Sequence, residues 1–236
     1  MDTEVNEDKD LPTMHEFEIF VPGRLCVLGE HTDWAGEYCL QNPEVCPGYV
    51  IVAALNEGLF ASVMVEPVAD PIFTYKTCAR PVAEVLRVNM GSLSEVRAIA
   101  ASGDFYSYVS GTVAVMVQWL QRHRPEERLP AIKVHNHTTS LPMKRGLSSS
   151  AAVCVLVAQA FNKGCDLGLG TKELMELAYK GEMLTPSRCG RMDQCVAMGR
   201  DKMALMTFKG PNVTLRELVL KSPMHFVVAN LNAAKN

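Results

Sequence analysis

Gly146-Leu147-Ser148-Ser149-Ser150-Ala151-Ala152 begins with a glycine and three small hydroxyl residues, then runs into an apolar stretch that continues to Lys163. The stretch Ala151 to Lys163 predicts a buried helix, and the glycine and serines before it predict a tight loop at its N-terminus. Outward from this junction, Ala131 to His137 reads as a strand and Phe105 to Arg122 as a helix. Downstream, Thr171 is expected to cap a second helix with an apolar stripe of Leu174, Leu177 and Ala178. Strands are predicted at Phe17 to Val21, ending at Pro22-Gly23, and over the short apolar run Leu25 to Leu28. Asn42 to Gly48 reads as a loop. Tyr49 to Leu55 and Leu59 to Val65 follow as two strands joined by a turn at Asn56-Glu57-Gly58, with later strands at Met203 to Phe208 and His225 to Asn230. Residues 66–104 give no clear pattern. Helices and strands alternate irregularly, which favours an α+β fold over a doubly wound sheet.

The bulk numbers narrow the class. The chain has 236 residues, 48% apolar and 21% charged, which suits a globular protein with a proper core. A net charge of −3 leaves no electrostatic footprint for nucleic acid or an anionic membrane. Residues 1–16 are acidic and polar and read as a disordered tail without the apolar segment of a secretory signal. The longest apolar run, Ala151 to Ala158, is too short to span a bilayer. Eight scattered cysteines without a C-x-x-C motif read as free thiols in a reduced cytoplasmic setting.

Three stretches carry chemistry. In Gly146 to Ala152, backbone N–H groups and the helix dipole would favour an anion, and the serine hydroxyls suit phosphate or Mg²⁺. The competing reading is a serine-rich turn that caps a core helix. The P-loop pattern is missing, and Gly168-Leu169-Gly170-Thr171-Lys172 reads as a turn with an N-cap. In Pro22 to Trp34, Glu30, His31 and Asp33 crowd within four residues after a short strand. Such donors and acceptors suit a polyol, with a metal site or a solvated loop as the alternatives. In the third stretch, Glu182 falls on the apolar stripe of its helix, costly unless a cation or partner accompanies it or the helix end frays. Asp193, after Cys189-Gly190-Arg191-Met192, is expected to start a helix that favours its charged form, as a general base requires. His135 and His137 project from one strand face and read as surface or packing residues.

Taken in order, these stretches resemble the GHMP kinases, and galactokinase most of all. Pro22-Gly23-Arg24-Leu25-Cys26-Val27-Leu28-Gly29-Glu30-His31-Thr32-Asp33-Trp34 is similar to the galactokinase signature. The phosphate loop G-L-S-S-S-A is matched letter for letter, and C-G-x-M-D-Q by Cys189 to Gln194. Tyr108-Val109-Ser110-Gly111 is a fourth, weaker match. The resemblance implies a ribosomal-protein-like βαβ N-terminal domain over 17–236, with or without the first strand of the next. The C-terminal ferredoxin-like domain would be largely absent from this chain and expected in the full-length protein. It implies a sugar kinase using ATP and Mg²⁺, with no nucleic-acid or membrane partner. Asp193 would be the catalytic base and Arg24 its charge partner. Glu30, His31, Asp33 and Gly190 would bind sugar. Gly146, Leu147, Ser148, Ser149, Ser150 and Ala151 would cradle phosphate, with Ser150 and Glu182 holding the metal.

Departures from the pattern bear on the substrate. Lys144 and Arg145 replace glycines before the phosphate loop, Cys26 replaces an asparagine and Trp34 a tyrosine. The segment after Trp34 is longer than in galactokinase, and the Glu182-to-Asp193 spacing is closer to that of mevalonate kinase. Kinase chemistry is the leading expectation, with galactose itself in doubt. The competing one is a non-catalytic sugar- or nucleotide-binding sensor, or a truncated kinase relative.

Overall fold

The computed structural model describes residues 14–80, 84–142, 146–187, 189–222, 224–227 and 229. Most of the expected acidic tail, and Lys144 and Arg145, lie outside the described residues, although His15 and Glu16 already pair in the first strand. The described residues form one mixed, seven-stranded sheet in the order β4-β3-β5-β2-β6-β7, with β1 paired to β2 off this path. The strands are β1 (His15–Leu28), β2 (Gly48–Glu66), β3 (Ile72–Thr77), β4 (Val85–Asn89), β5 (Ala131–Thr139), β6 (Met203–Lys209) and β7 (Asn212–Glu217). The helices are α1 (Thr32–Ala35), α2 (Leu93–Ser102), α3 (Ser107–His123), α4 (Ser149–Gly164) and α5 (Thr171–Glu182), with 3-10 helices at Gly36–Leu40 and Asp193–Met198.

Two expected turns are irregularities inside long strands. Pro22 pairs with Gly58 and Arg24 with Ala54, so residues 55–57 of β2 lie opposite Gly23 alone. This bulge places the exposed Asn56 and Glu57 in solvent. Pro22 tolerates it because a bulge needs no ladder N–H there. Gly58 is required, since a Cβ would lie 2.3 Å from the Val21 carbonyl oxygen. The same stretch of β2 is where the strand changes partner, from β6 over residues 48–53 to β5 over 59–66. Its two halves therefore read as separate strands. The expected strand at His225 to Asn230 falls partly outside the described residues; those described, 225–227 and 229, are irregular, and β7 provides the last ladder among the described residues.

Alternation along the strands sends one set of side chains to the helices. Ile19, Val21, Ala61, Val63, Val65, Phe73, Ile132 and Val134 are buried, and α4 crosses this face with Phe161 stacked on Phe73 at 5.7 Å. The opposite face carries exposed Glu16, Glu18, Lys133, His135 and His137, with His137 Nε2 3.1 Å from Glu18. Glycines set the approach of α3 to α5. A Cβ on Gly111 would lie 2.2 Å from the Gly181 carbonyl oxygen, and one on Gly181 2.5 Å from Thr112 Oγ1. All eight cysteines are free thiols. No helix among the described residues is long and apolar enough to cross a membrane.

Candidate active site

The bulge of β2 opposite Gly23 lies beside Arg24, where the three stretches meet. A Cβ on Gly23 would sit 2.3 Å from the Leu141 side chain and 3.0 Å from the Leu147 carbonyl oxygen, so glycine lets the serine loop lie against the strand. The Arg24 backbone N–H donates to the Leu147 carbonyl at 3.3 Å, and its Nη1 donates to the Gly146 carbonyl at 3.3 Å. From the other side, Nε and Nη2 both donate to Asp193 Oδ1, at 3.0 and 2.5 Å. Glu30 Oε2 stands 3.7 Å from Nη1. Burial works against the guanidinium charge, but the charge and hydrogen bond of Asp193, with Glu30 adding to them, leave the Arg24 pKa raised. Arg24 is thus one cation bridging the backbone of the Gly146–Ser148 loop and the Asp193 carboxylate.

The loop itself is shaped by two left-handed residues, Gly146 at φ 79° and Ser148 at φ 59°. A serine-rich capping turn would place a hydroxyl on the first-turn N–H groups, yet no side-chain cap bond forms at Ser148. Its Oγ is buried without a hydrogen-bond partner among the described residues. A buried hydroxyl in this state costs about 1–3 kcal/mol, which a phosphate oxygen would recover. The Ser148 side chain thus does not cap α4.

Glu182 ends α5 without fraying: it is 1% exposed. The Gly111–Gly181 approach presses this helix end against α3. Ser150 and Gln194 donate hydrogen bonds to its carboxylate, the latter from Nε2 to Oε2 at 2.8 Å. Burial pushes the Glu182 pKa up and the Asp193 charge adds to that, while the Ser150 and Gln194 hydrogen bonds oppose it. Its strongest neighbours are neutral donors and a second carboxylate, an arrangement that suits a cation. Burial, together with the Glu182 and Asp193 charges, likewise raises the Cys189 thiol.

The residues expected to meet a sugar divide into two kinds. Glu30 and His31 are exposed, with His31 in a left-handed turn at φ 71° before α1. Trp34 Nε1 donates to His31 Nδ1 at 3.5 Å. Asp33 differs from an open ligand, being 2% exposed. Its Oδ2 accepts the Met192 N–H at 3.3 Å. Gly190 lies so close above it that a Cβ there would overlap the carboxylate. Asp33 therefore braces the backbone that leads into Asp193. Cys26, beside Glu30, is pushed up to about 12 by burial and by its hydrogen bond with that glutamate.

Two residues escaped the sequence reading. Gln194 lay inside a quoted motif but signalled nothing by type. Arg191 ties the same loop outward, donating to the Pro211 carbonyl at 2.7 Å and lying 4.8 Å over the Tyr179 ring. Its Nε is 3.5 Å from Glu37. Among the described residues no group of three or more His, Cys, Asp or Glu side chains is placed to hold a metal ion. A cation here would need Ser150, Glu182 and oxygens from a ligand.

Known proteins resemble this chain in sequence and in fold. Residues 107–200 match the GHMP kinases N terminal domain. The galactokinase of Thermotoga petrophila is 27% identical over 205 residues, which is 84% of this chain and 49% of that protein. The galactokinase of Haemophilus influenzae (strain PittEE) is 27% identical over 202 residues, 85% of this chain and 45% of the relative. The chain spans about half the length of these curated relatives. Among solved structures, Lactococcus lactis galactokinase complexed with galactose superposes with a TM-score of 0.65 at 20% identity, covering 89% of this chain and 48% of that one. Methanococcus jannaschii mevalonate kinase gives 0.61 at 14% identity, covering 85% and 55%. Identities this low establish the shared mixed α+β fold and nothing finer.

Proposed function

We propose that this chain, whose residues 107–200 match the GHMP kinases N terminal domain and which is similar to galactokinases, serves a sugar kinase transferring the γ-phosphoryl group of ATP to a monosaccharide hydroxyl. Residues 17–236 form the nucleotide- and sugar-binding portion of that enzyme, over a ribosomal-protein-like βαβ core. The observation that carries this reading is the Arg24 bridge, which bonds Asp193 Oδ1 on one side and the Gly146 carbonyl on the other.

The chemistry assigned to the site follows from that bridge. Both Arg24 contacts fall on Oδ1 of Asp193, so Oδ2 is the oxygen assigned to the sugar hydroxyl. As the hydroxyl oxygen bonds to the γ-phosphorus, the bond from that phosphorus to the β–γ bridging oxygen breaks and ADP leaves; the hydroxyl proton passes to Asp193. Arg24 holds the base in line and offsets negative charge on the transferring group. Gly146 to Ala151 hold the phosphates through the helix start and the buried Ser148 hydroxyl. Glu30 and His31 offer hydroxyl partners to the sugar, while Asp33 fixes Gly190 to Met192 beneath it. A buried carboxylate beside a hydroxyl is a hard-oxygen donor set that fits Mg²⁺, with Ser150 and Glu182 as the residues that would hold it. When bound, the ion supplies positive charge to the phosphates.

The test is an ADP-release screen against monosaccharides with Mg²⁺, using the longest stable form of the protein and Asp193→Ala. Turnover on at least one sugar is expected, reduced by about 10²–10⁴-fold in the variant. Undiminished turnover in Asp193→Ala removes the assigned base. Binding of sugar and nucleotide without any turnover supports the binding-only alternative.

A further inference from the structure

Gln194 is a primary amide with no solvent exposure, and such a group is costly in a core unless both of its ends are satisfied. Only the donor end is. Nε2 gives its proton to Glu182 Oε2 at 2.8 Å and lies 4.0 Å from Cys189 Sγ. Oε1 is buried without a partner among the described residues. Turning the amide over would set its oxygen against the Glu182 carboxylate, so the orientation is fixed by repulsion as well as attraction. A side chain that served only to join α5 to the 3-10 helix at Asp193–Met198 would gain nothing from an acceptor left empty one amide's width from a carboxylate. The residue also follows Asp193 directly, so one short helix carries both the assigned base and the group that aims Glu182.

We propose that Gln194 is a positioning residue for the divalent cation: it fixes the Glu182 carboxylate through Nε2 and offers Oε1 to a water of the hydrated metal–nucleotide. This rests on the metal–nucleotide role given to Ser150 and Glu182 above. Partners that orient a metal ligand typically change metal affinity by about 10–100-fold when removed. A neutral amide is suited to this position, because it donates to the carboxylate without competing with the cation for it.

The experiment measures binding of a non-hydrolysable ATP analogue by calorimetry, with Mg²⁺ and with EDTA, in the wild type, Gln194→Met and Gln194→Glu. In the wild type, Mg²⁺ is expected to strengthen nucleotide binding. Gln194→Met is expected to lose about tenfold or more of that strengthening while its affinity in EDTA stays at the wild-type value. An unchanged Mg²⁺ increment in folded Gln194→Met overturns the proposal and leaves Gln194 a core tie. If that variant does not fold, Gln194→Glu decides through its thermal midpoint. A midpoint lowered in EDTA and restored by Mg²⁺ supports a place beside the cation, and one lowered equally in both overturns it. A wild type without any Mg²⁺ increment shows instead that the metal–nucleotide reading has failed.

Discussion

Arg24 and Asp193 lie 169 residues apart in sequence yet share two hydrogen bonds. Their side chains are 8% and 20% exposed, so the pair is partly desolvated, and removing one partner leaves the other with uncompensated charge. A double-mutant cycle of Arg24→Met and Asp193→Ala, read by urea denaturation, should return a coupling of about 2 kcal/mol, less than a fully buried pair because Asp193 keeps some solvent. Independent effects would separate the two residues energetically. Glu182 gives the opposite sign. Its raised pKa means that the folded chain holds a proton which the unfolded chain gives up at lower pH. Stability from this group is therefore present below the ordinary carboxylate value and is lost as pH rises through the raised one. Asp193 disfavours its charge, while the hydrogen bonds from Ser150, Gln194 and Cys189 favour it. Metal-free Glu182→Gln should then exceed the wild type in stability at neutral pH, by on the order of 1 kcal/mol, and the gap should close in acid. A gap that widens toward acid would reverse the assigned sign.

Elements reach the site through places where no side chain fits. Gly181 lets α5 lie on α3, and that contact fixes where Glu182 ends up. Gly181→Ala would force the helices apart and should cost about 1–3 kcal/mol in denaturation. Gly146 has open space around it, and its φ of 79° alone resists a side chain. Gly146→Ala is therefore expected to cost about 1 kcal/mol from backbone strain, with nucleotide affinity falling more than stability. A larger stability loss at Gly146 than at Gly181 would contradict this contrast. The contrast also explains what was legible. The serine loop, the Glu182 stripe and the Cys189–Gln194 turn were readable because each is local, a few residues whose types state their chemistry. The continuity of β1 and β2 was not, because Pro22-Gly23 and Asn56-Glu57-Gly58 carry turn chemistry that the sheet spends on a bulge and a change of partner. β7 was missed for a related reason: its exposed edge shows little of the apolar patterning that marks a core strand. The brace from Asp33 to Met192, across 159 residues, leaves no mark in either segment.

At the scale of the molecule, the helices cover one face of the sheet, and the candidate site gathers where Arg24 of β1, the start of α4, the end of α5 and the 3-10 helix at Asp193–Met198 adjoin. None of these elements closes the site alone. Occupying it should therefore tighten contacts among segments far apart in sequence, and that gain belongs to the whole fold through linkage. A ligand at about 100 times its dissociation constant adds about 2.7 kcal/mol, which for a chain of this size raises the thermal midpoint by roughly 5–11 °C. Mg²⁺ with a non-hydrolysable ATP analogue is expected to produce such a rise in the wild type. Asp193→Asn should retain most of it, because that residue is assigned to the sugar hydroxyl rather than to the phosphates. Replacing Ser148 with alanine should reduce the rise, because the phosphate then has no buried hydroxyl to meet. The reverse ranking, with Asp193→Asn losing the nucleotide shift and Ser148→Ala keeping it, would place the phosphates on the other side of Arg24 and undo the division of labour across that bridge.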